Sequence, residues 1–110
     1  MHREIDPLGA DDAVAAGAVL LDVREADEFA AGHAPSARNL PLSVFDGVFS
    51  DLPTDRAVIC VCRSGGRSAT AADALVASGY DAVNLVGGMH AWAKEGLPVV
   101  TDAGGSGVVA

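Results

Sequence analysis

The stretch AVICVCRSGGRS, residues 57–68, joins an apolar run to a polar, glycine-rich one, and it decides the fold. Its first half, residues 57–61, is continuously hydrophobic, which is typical of a strand buried on both faces of a parallel sheet. Its second half begins at Cys62 and leads into a helical pattern over residues 68–78, which ends at Gly79. The segment therefore predicts a buried strand, a tight turn and a helix.

Strand and helix patterns alternate on both sides of this segment. Four more strands are predicted, at residues 3–5, 18–23, 38–40 and 82–86. Three more helices are predicted, at residues 11–17, 25–31 and 89–95. This alternation predicts an α/β fold with a mostly parallel sheet, in one domain over residues 1–100 with a flexible tail over residues 101–110.

Composition and charge limit the class of protein. The chain has 110 residues, half of them hydrophobic, so it forms one domain with a real core and is not disordered. A formal net charge of −8 argues against general nucleic-acid binding and against an acidic membrane surface. The apolar run that begins at Ala18 is interrupted by Asp22, and the N-terminus has no apolar signal core. The expected location is the cytoplasm.

Neither the cysteines nor the histidines predict a metal site. Cys60 and Cys62 are separated by one residue, which is poor geometry for a disulfide and differs from the C-x-x-C redox spacing. Three histidines without metal-ligand spacing give no metal site, and no cofactor is expected. Cys60 is expected to face the core as a small hydrophobic residue, with a role as a resolving cysteine as the lesser alternative.

Three polar or glycine-rich segments follow predicted strands. In open parallel sheets, ligands bind beyond the carboxyl ends of the strands. The segments at that edge are residues 22–24, 62–68 and 87–90, which we expect to converge in space although they are far apart in sequence.

The segment after Cys62 has the composition of an anion-binding loop. Gly65 and Gly66 allow the backbone to curl so that successive N–H groups point inward, and the following helix adds its positive N-terminal end. Ser64 and Ser68 add hydroxyl donors. A sulfur inside this ring would be stabilised as an anion, so we expect a lowered pKa for the Cys62 thiol.

Arg67 is unusual in the first turn of a helix, because a cation there opposes the helix dipole. Local rules tend to be broken at functional sites, and an anionic ligand held against Arg67 would compensate. Removing Arg67 is therefore expected to help the helix and to harm the chemistry. The simpler alternative is a tight strand-to-helix turn with a half-buried structural cysteine and two solvated arginines.

Four segments in this order resemble the successive motifs of the rhodanese domain family. They are LDVRE at 21–25, GHAPSA at 32–37, CRSGGRS at 62–68 and LVGGMHAW at 85–92. The resemblance covers roughly residues 5–100 and is nearest to the single-domain members. It implies a five-stranded, mainly parallel sheet with helices on both faces, and it implies that Cys62 is the sulfur-accepting cysteine. The loop that it implies around the substrate consists of Arg63, Ser64, Gly65, Gly66, Arg67 and Ser68.

The activity implied by this resemblance is two-step sulfur transfer. The Cys62 thiolate would take the outer sulfur of a small anionic donor such as thiosulfate, or of a persulfide, and release sulfite from thiosulfate. The Cys62 persulfide would then pass that sulfur to cyanide, a thiol or a sulfur-carrier protein. Backbone N–H groups can stabilise a persulfide anion without a metal or a cofactor, and Arg63 and Arg67 are suited to steering an anionic donor.

Two other functions compete with sulfur transfer. Phosphatases and arsenate reductases of the same fold use a loop with five residues between cysteine and arginine, whereas four separate Cys62 from Arg67 here. The shorter ring should fit a single sulfur and exclude a tetrahedral oxyanion. A non-catalytic interaction module is the second competitor, but such modules typically lose the cysteine that this chain retains.

Residues near the predicted edge have simpler structural interpretations. Asp22 and Arg24 have two interpretations: they orient the loop after Cys62 without contacting the substrate, or they form an ion pair that holds the strand end. The ion pair is the favoured interpretation. His33 is expected to shape a turn, with a role as a proton donor as the lesser alternative. His90 and Trp92 are expected to pack the last helix against the sheet.

Overall fold

The computed structural model describes residues 1–44 and 51–110, and a five-stranded parallel sheet forms its centre. The strands are β1 (Arg3–Ile5), β2 (Val19–Asp22), β3 (Arg38–Asn39), β4 (Val58–Val61) and β5 (Ala82–Leu85). Their order in the sheet is β1-β5-β4-β2-β3, and every neighbouring pair is parallel. The predicted α/β class and all five predicted strands are confirmed, and the sheet is entirely rather than mainly parallel in the described residues.

The three central strands have all of their residues buried, as the nearly continuous hydrophobicity predicted for β2 and β4. Leu21 of β2 lies beside Cys60 of β4, which in turn lies beside Asn84 of β5. Because the strands are parallel and in this register, β2, β4 and β5 end at the same edge of the sheet.

Helices cover both faces of the sheet, as expected. They are α1 (Pro7–Ala15), α2 (Ala26–Ala31), α3 (Gly66–Ala77) and α4 (Gly88–Lys94), with a 3-10 turn at Leu42–Val44. Leu75 of α3 packs in the same core cluster as Cys60 and Cys62. On the other face, Trp92 of α4 and Ala10 of α1 pack in a second cluster. The polypeptide after β4 therefore passes directly from Cys62 into a helix that lies on the same face.

The first helix begins earlier than the sequence pattern predicted. Its first residue is Pro7, not Asp11, because the Asp6 side chain accepts a hydrogen bond from the Gly9 N–H at 2.8 Å and caps the helix. Proline suits the first helical position, since its missing N–H would have no partner there. The Asp-Pro pair was the overlooked signal.

The C-terminal segment packs against the domain, which corrects the expectation of a loose tail. The Val108 N–H donates to the Ala31 carbonyl at 3.0 Å, and Val109 packs against the core cluster of α1 and α4. Glycines permit the close approach: a Cβ on Gly32 would lie 2.5 Å from the Val108 carbonyl oxygen, and one on Gly107 would lie 2.6 Å from the Gly32 Cα. Small residues therefore serve here as a close packing surface. The boundary at residue 100 stays a prediction.

None of the helices described is both long enough and apolar enough to cross a bilayer.

Candidate active site

The three segments that follow β2, β4 and β5 meet at one edge of the sheet, as predicted. The Val23 N–H donates to the Val61 carbonyl at 2.9 Å, which joins the first segment to the end of β4. The Met89 N–H donates to the Cys62 carbonyl at 2.8 Å, which joins the segment after β5 to the segment after β4. A Cβ on Gly88 would lie 2.4 Å from that same carbonyl oxygen, so only glycine permits this approach.

Hydrogen-bond donors surround the sulfur of Cys62. The Gly65 N–H lies 3.2 Å from Cys62 Sγ and the Ser68 N–H lies 3.4 Å from it. The Ser68 hydroxyl oxygen is 3.3 Å from the same sulfur. Gly65 has a φ of +116°, a left-handed conformation that favours glycine, and it turns the backbone so that its N–H faces the sulfur. The loop is thus the inward-curled ring that the glycines predicted.

The donors change the acidity of the thiol. Burial by itself disfavours ionisation, but hydrogen bonds from the Ser68 hydroxyl and from the backbone of Ser68, Gly65 and Ser64 outweigh it and lower the pKa of Cys62. Burial instead raises the pKa of Cys60 to about 12, with a smaller contribution from nearby Cys62. The predicted lowering of the Cys62 pKa and the predicted core position of Cys60 agree with this geometry.

Arg67 lies in the first turn of α3, but the anion that compensates it belongs to the protein. Its guanidinium makes two parallel hydrogen bonds to the Glu28 carboxylate, at 2.7 and 2.9 Å. This hydrogen bonding between the two side chains lowers the pKa of Glu28 to about 2 and raises the pKa of Arg67. The expectation that a ligand must offset Arg67 is therefore corrected, because Glu28 already does so.

Glu28 also belongs to the start of α2. Its carboxylate accepts the Glu25 N–H at 3.1 Å in a capping box, while the Glu25 side chain accepts from the backbone at Glu28. The same carboxylate therefore fixes the start of α2 and ties it to the start of α3. The capping pattern is visible in the sequence. The second partner of the Glu28 carboxylate, Arg67, is 39 residues away and cannot be identified from the sequence pattern.

Arg63 differs from Arg67 although both belong to the same loop. Its side chain is exposed, and within residues 1–44 and 51–110 it has no ion pair or side-chain hydrogen bond. Ser64 and Gly66 are exposed beside it. Of the two loop arginines, Arg63 is therefore the one whose charge is not neutralised by any described residue.

Asp22 and Arg24 form a fully buried ion pair at 2.8 Å. Arg24 also donates to the Gly32 carbonyl at 2.8 Å, and Asp22 Oδ1 accepts the Arg24 N–H at 3.0 Å. A buried charge pair needs such additional partners to be tolerated. This arrangement supports the favoured structural reading, in which the pair holds the end of β2 against the segment that follows α2.

Asn84 is a site residue that sequence reasoning missed. Its Oδ1 lies 2.6 Å from the Ser68 hydroxyl oxygen, and its Nδ2 lies 3.3 Å from the Gly65 carbonyl oxygen. Asn84 is 3% exposed in a strand that is otherwise apolar. A buried amide in the sequence Ala-Val-Asn-Leu was the available signal, since buried polar groups require partners.

The remaining candidates have structural roles. His33 Nδ1 lies 2.8 Å from the Phe29 carbonyl oxygen and the two rings stack, which agrees with the predicted turn. Trp92 is buried and donates from Nε1 to the Pro98 carbonyl at 2.9 Å. His90 is exposed, so its predicted packing role is wrong; Met89, one position earlier, faces the core instead. Within the described ranges, no cluster of His, Cys, Asp or Glu side chains is arranged to hold a metal ion.

A thiol in a ring of backbone N–H groups, at the carboxyl edge of a parallel sheet, defines a class of α/β proteins with a cysteine-centred loop. The sequence model of the rhodanese-like domain matches residues 6–95, and the chain belongs to that family. The resemblance seen in the four motifs is thereby confirmed.

Known relatives agree with this assignment. A protein named sulfurtransferase from Allochromatium vinosum is 44% identical over 87 residues, which cover 78% of this chain and 81% of that protein. The chloroplastic thiosulfate sulfurtransferase 16 of Arabidopsis thaliana is 38% identical over 102 residues, covering 81% of this chain and 85% of its own. The crystal structure of a rhodanese-related protein from Thermoplasma volcanium superposes with a TM-score of 0.85 at 32% identity, over 92% of this chain and all of that one.

Proposed function

We propose that this protein is a sulfurtransferase that carries sulfane sulfur as a persulfide on Cys62. The observation that carries the proposal is the ring of donors around Cys62 Sγ, with Gly65 and Ser68 N–H groups at 3.2 and 3.4 Å. Such a ring stabilises a sulfur anion, and both the thiolate and the persulfide are sulfur anions.

The first step loads the cysteine. The Cys62 thiolate attacks the outer sulfur of thiosulfate, a new S–S bond forms, and the original S–S bond breaks as sulfite leaves with its electron pair. A lowered thiol pKa increases the fraction of Cys62 that is present as the attacking thiolate. Arg63, which is exposed and has no ion pair within the part of the chain that the structure describes, attracts the anionic donor to the loop.

The second step removes the outer sulfur from the Cys62 persulfide. A nucleophile such as cyanide, a thiol or the thiol of a carrier protein attacks the outer sulfur of the persulfide, and Cys62 leaves as a thiolate. A thiol with a low pKa is a better leaving group, so the same ring of donors favours both steps. Neither step needs a metal or a cofactor.

The position of Arg67 favours sulfur transfer over phosphatase chemistry. A phosphatase loop uses the charge of its arginine to bind the phosphate oxygens, whereas the Glu28 carboxylate neutralises Arg67 and accepts one hydrogen bond from each of its two terminal nitrogens. The lowered thiol pKa likewise favours catalysis over a purely structural interaction module.

Intact-mass measurement after incubation with thiosulfate tests the proposal. The wild type should gain about 32 Da, one sulfur atom, and lose it again on addition of cyanide or excess thiol. Cys62→Ser should show no gain, and the matched variant Cys60→Ser should behave like the wild type. A wild type that stays unmodified with thiosulfate and with small persulfides would overturn the proposal.

A further inference from the structure

The Ser68 hydroxyl has more acceptors around it than it has protons. Its oxygen lies 2.6 Å from Asn84 Oδ1, 3.3 Å from Cys62 Sγ and 3.3 Å from the Gly65 carbonyl oxygen. A serine hydroxyl carries a single proton, so it can donate fully to one of these acceptors at a time. The shortest of the three contacts is the one to Asn84.

The surroundings of Asn84 fix which way its amide points. Its Nδ2 lies 3.3 Å from the Gly65 carbonyl oxygen and 3.3 Å from Glu4 Oε2. Both of these groups only accept hydrogen bonds when Glu4 is ionised, so the NH₂ group must face them and Oδ1 must face Ser68. An amide oxygen only accepts, and Ser68 is therefore the donor in the 2.6 Å contact.

Whether Cys62 is neutral or anionic changes which acceptor binds the Ser68 hydroxyl proton more strongly. While Cys62 is a neutral thiol, Ser68 donates to Asn84, and the S–H group can point to the Ser68 oxygen. Once Cys62 becomes a thiolate or a persulfide anion, the sulfur becomes the stronger acceptor. Turning the hydroxyl toward the sulfur costs the bond to Asn84 and leaves Oδ1 without its donor.

We propose that Asn84 is a positioning residue for sulfur transfer: it holds the Ser68 hydroxyl and the Gly65 carbonyl in place and competes with the Cys62 sulfur for the single hydroxyl proton. The role of Asn84 in sulfur transfer rests on the proposed function, but the test of its effect on Cys62 does not need a sulfur donor.

Other charged or titratable groups surround this network and are the same in every variant used below. Among the described residues they include Glu4 on β1, Asp22 on β2, Glu28 on α2, Cys60 on β4, Arg63 in the loop and Arg67 on α3. Because none of them is altered, a change in Cys62 acidity between variants reports on Asn84 and Ser68.

The experiment measures the pH dependence of Cys62 alkylation by iodoacetamide, followed by peptide mass. Asn84→Leu removes the competing acceptor, so its alkylation midpoint should move to lower pH by about half a unit or more. Asn84→Asp supplies a stronger acceptor and a negative charge, so its midpoint should move to higher pH. Opposite shifts are expected because the two variants change the competition in opposite directions.

Ser68→Ala provides the decisive background. Without the hydroxyl there is no proton to compete for, so Asn84→Leu should no longer shift the midpoint, and the two substitutions should be strongly non-additive. Asn39→Leu is the matched control, since Asn39 is another strand asparagine, which donates to the Asp22 and Arg24 carbonyls and has no contact with Ser68. It should leave the midpoint unchanged.

Three results would overturn the inference. They are an upward shift in Asn84→Leu, an equal shift with and without Ser68, and a comparable shift in Asn39→Leu, each of which indicates general distortion of the loop. If Asn84→Leu fails to fold, the near-isosteric Asn84→Asp variant carries the test alone, and its shift should shrink in the Ser68→Ala background. Because alkylation needs no sulfur donor, these outcomes are independent of whether thiosulfate loads Cys62.

Discussion

Cys60 and Cys62 are the same kind of residue, two positions apart on the same face of the sheet, and they differ completely in chemistry. They are 0% and 1% exposed, so burial alone does not distinguish them. Cys60 lies within β4, where backbone N–H groups are committed to neighbouring strands, and burial raises its pKa to about 12. At Cys62 the strand has ended, and the freed N–H groups of the turn point at the sulfur and lower its pKa. Reactivity here depends on where the strand ends.

The largest expected effect is the difference in reactivity between the two thiols. Burial raises the pKa of Cys60 to about 12, whereas the donors around Cys62 lower its pKa, so at pH 7 a far larger fraction of Cys62 than of Cys60 is thiolate. In the folded protein, iodoacetamide should therefore label Cys62 and leave Cys60 intact. Peptide mass mapping checks this.

Unfolding in urea is the control for that experiment, since both cysteines should then react at similar rates. Comparable labelling of Cys60 in the folded protein would show that the contrast between strand interior and strand end does not control reactivity.

The two arginines sharpen the comparison, because one is free and the other is paired. Arg63→Ala should lower kcat/KM for thiosulfate by about tenfold, or about 1.4 kcal/mol, mainly through KM, and leave stability unchanged. Arg67→Ala should instead lower the free energy of unfolding, because it leaves the partly buried Glu28 carboxylate without its partner. This reverses the stability gain expected from the helix dipole alone. Thiosulfate kinetics and urea unfolding of both variants measure the two effects.

The outcome that contradicts this division is an Arg63→Ala variant with normal KM beside an Arg67→Ala variant that keeps its stability and loses its turnover. Arg67 would then act on the donor rather than on Glu28.

A pair of adjacent glycines tests the turn that frees the N–H groups. Gly65 has a φ of +116°, so Gly65→Ala should destabilise the protein by about 1 kcal/mol from backbone strain and raise the Cys62 alkylation midpoint. At Gly66, φ is not positive and a Cβ would meet nothing within 4 Å. Gly66→Ala should therefore be neutral or slightly stabilising. If the two substitutions shift the pH midpoint of Cys62 alkylation equally, the left-handed conformation of Gly65 is not what lowers the pKa of Cys62.

The smallest effect concerns acid stability. Because Glu28 has a pKa of about 2 in the folded protein and 4.5 as its ordinary value, its ion pair with Arg67 stabilises the fold fully above about pH 5. That contribution is lost as the pH falls from about 5 toward 2. The pair is partly solvated, so we expect only about 0.5–1 kcal/mol.

Urea unfolding of the wild type and of Glu28→Gln at pH 6 and pH 3 measures this contribution. The difference between the two proteins should shrink at pH 3, and a constant difference would show that the Glu28 charge is not involved.

Much of the fold could be predicted because its signals are local. Apolar runs predicted β2, β4 and β5, and the cysteine followed by two glycines predicted the anion-binding loop. The start of α1 was missed because the capping signal, Asp6 before Pro7, lies outside the apolar periodicity. The C-terminal segment was misread because small residues are also typical of flexible tails, and only their close contact with Gly32 distinguishes the two cases.

By itself, the sequence determined the α/β class, the parallel sheet and the family, because each depends on patterns and motifs that are local and follow one another in a recognisable order. It also predicted Cys62 as the reactive cysteine, from its place before the glycine pair. Only the tertiary structure decided that Glu28 neutralises Arg67, that Arg63 meets no ion-pair partner among the residues described, and that Asn84 holds Ser68. The acidic residues around α2 include Glu25, Asp27 and Glu28, and local pattern cannot say which of them reaches a cation 39 residues away. Hydrogen bonds and ion pairs act over about 3 Å, so such partners are determined only once packing brings distant segments together.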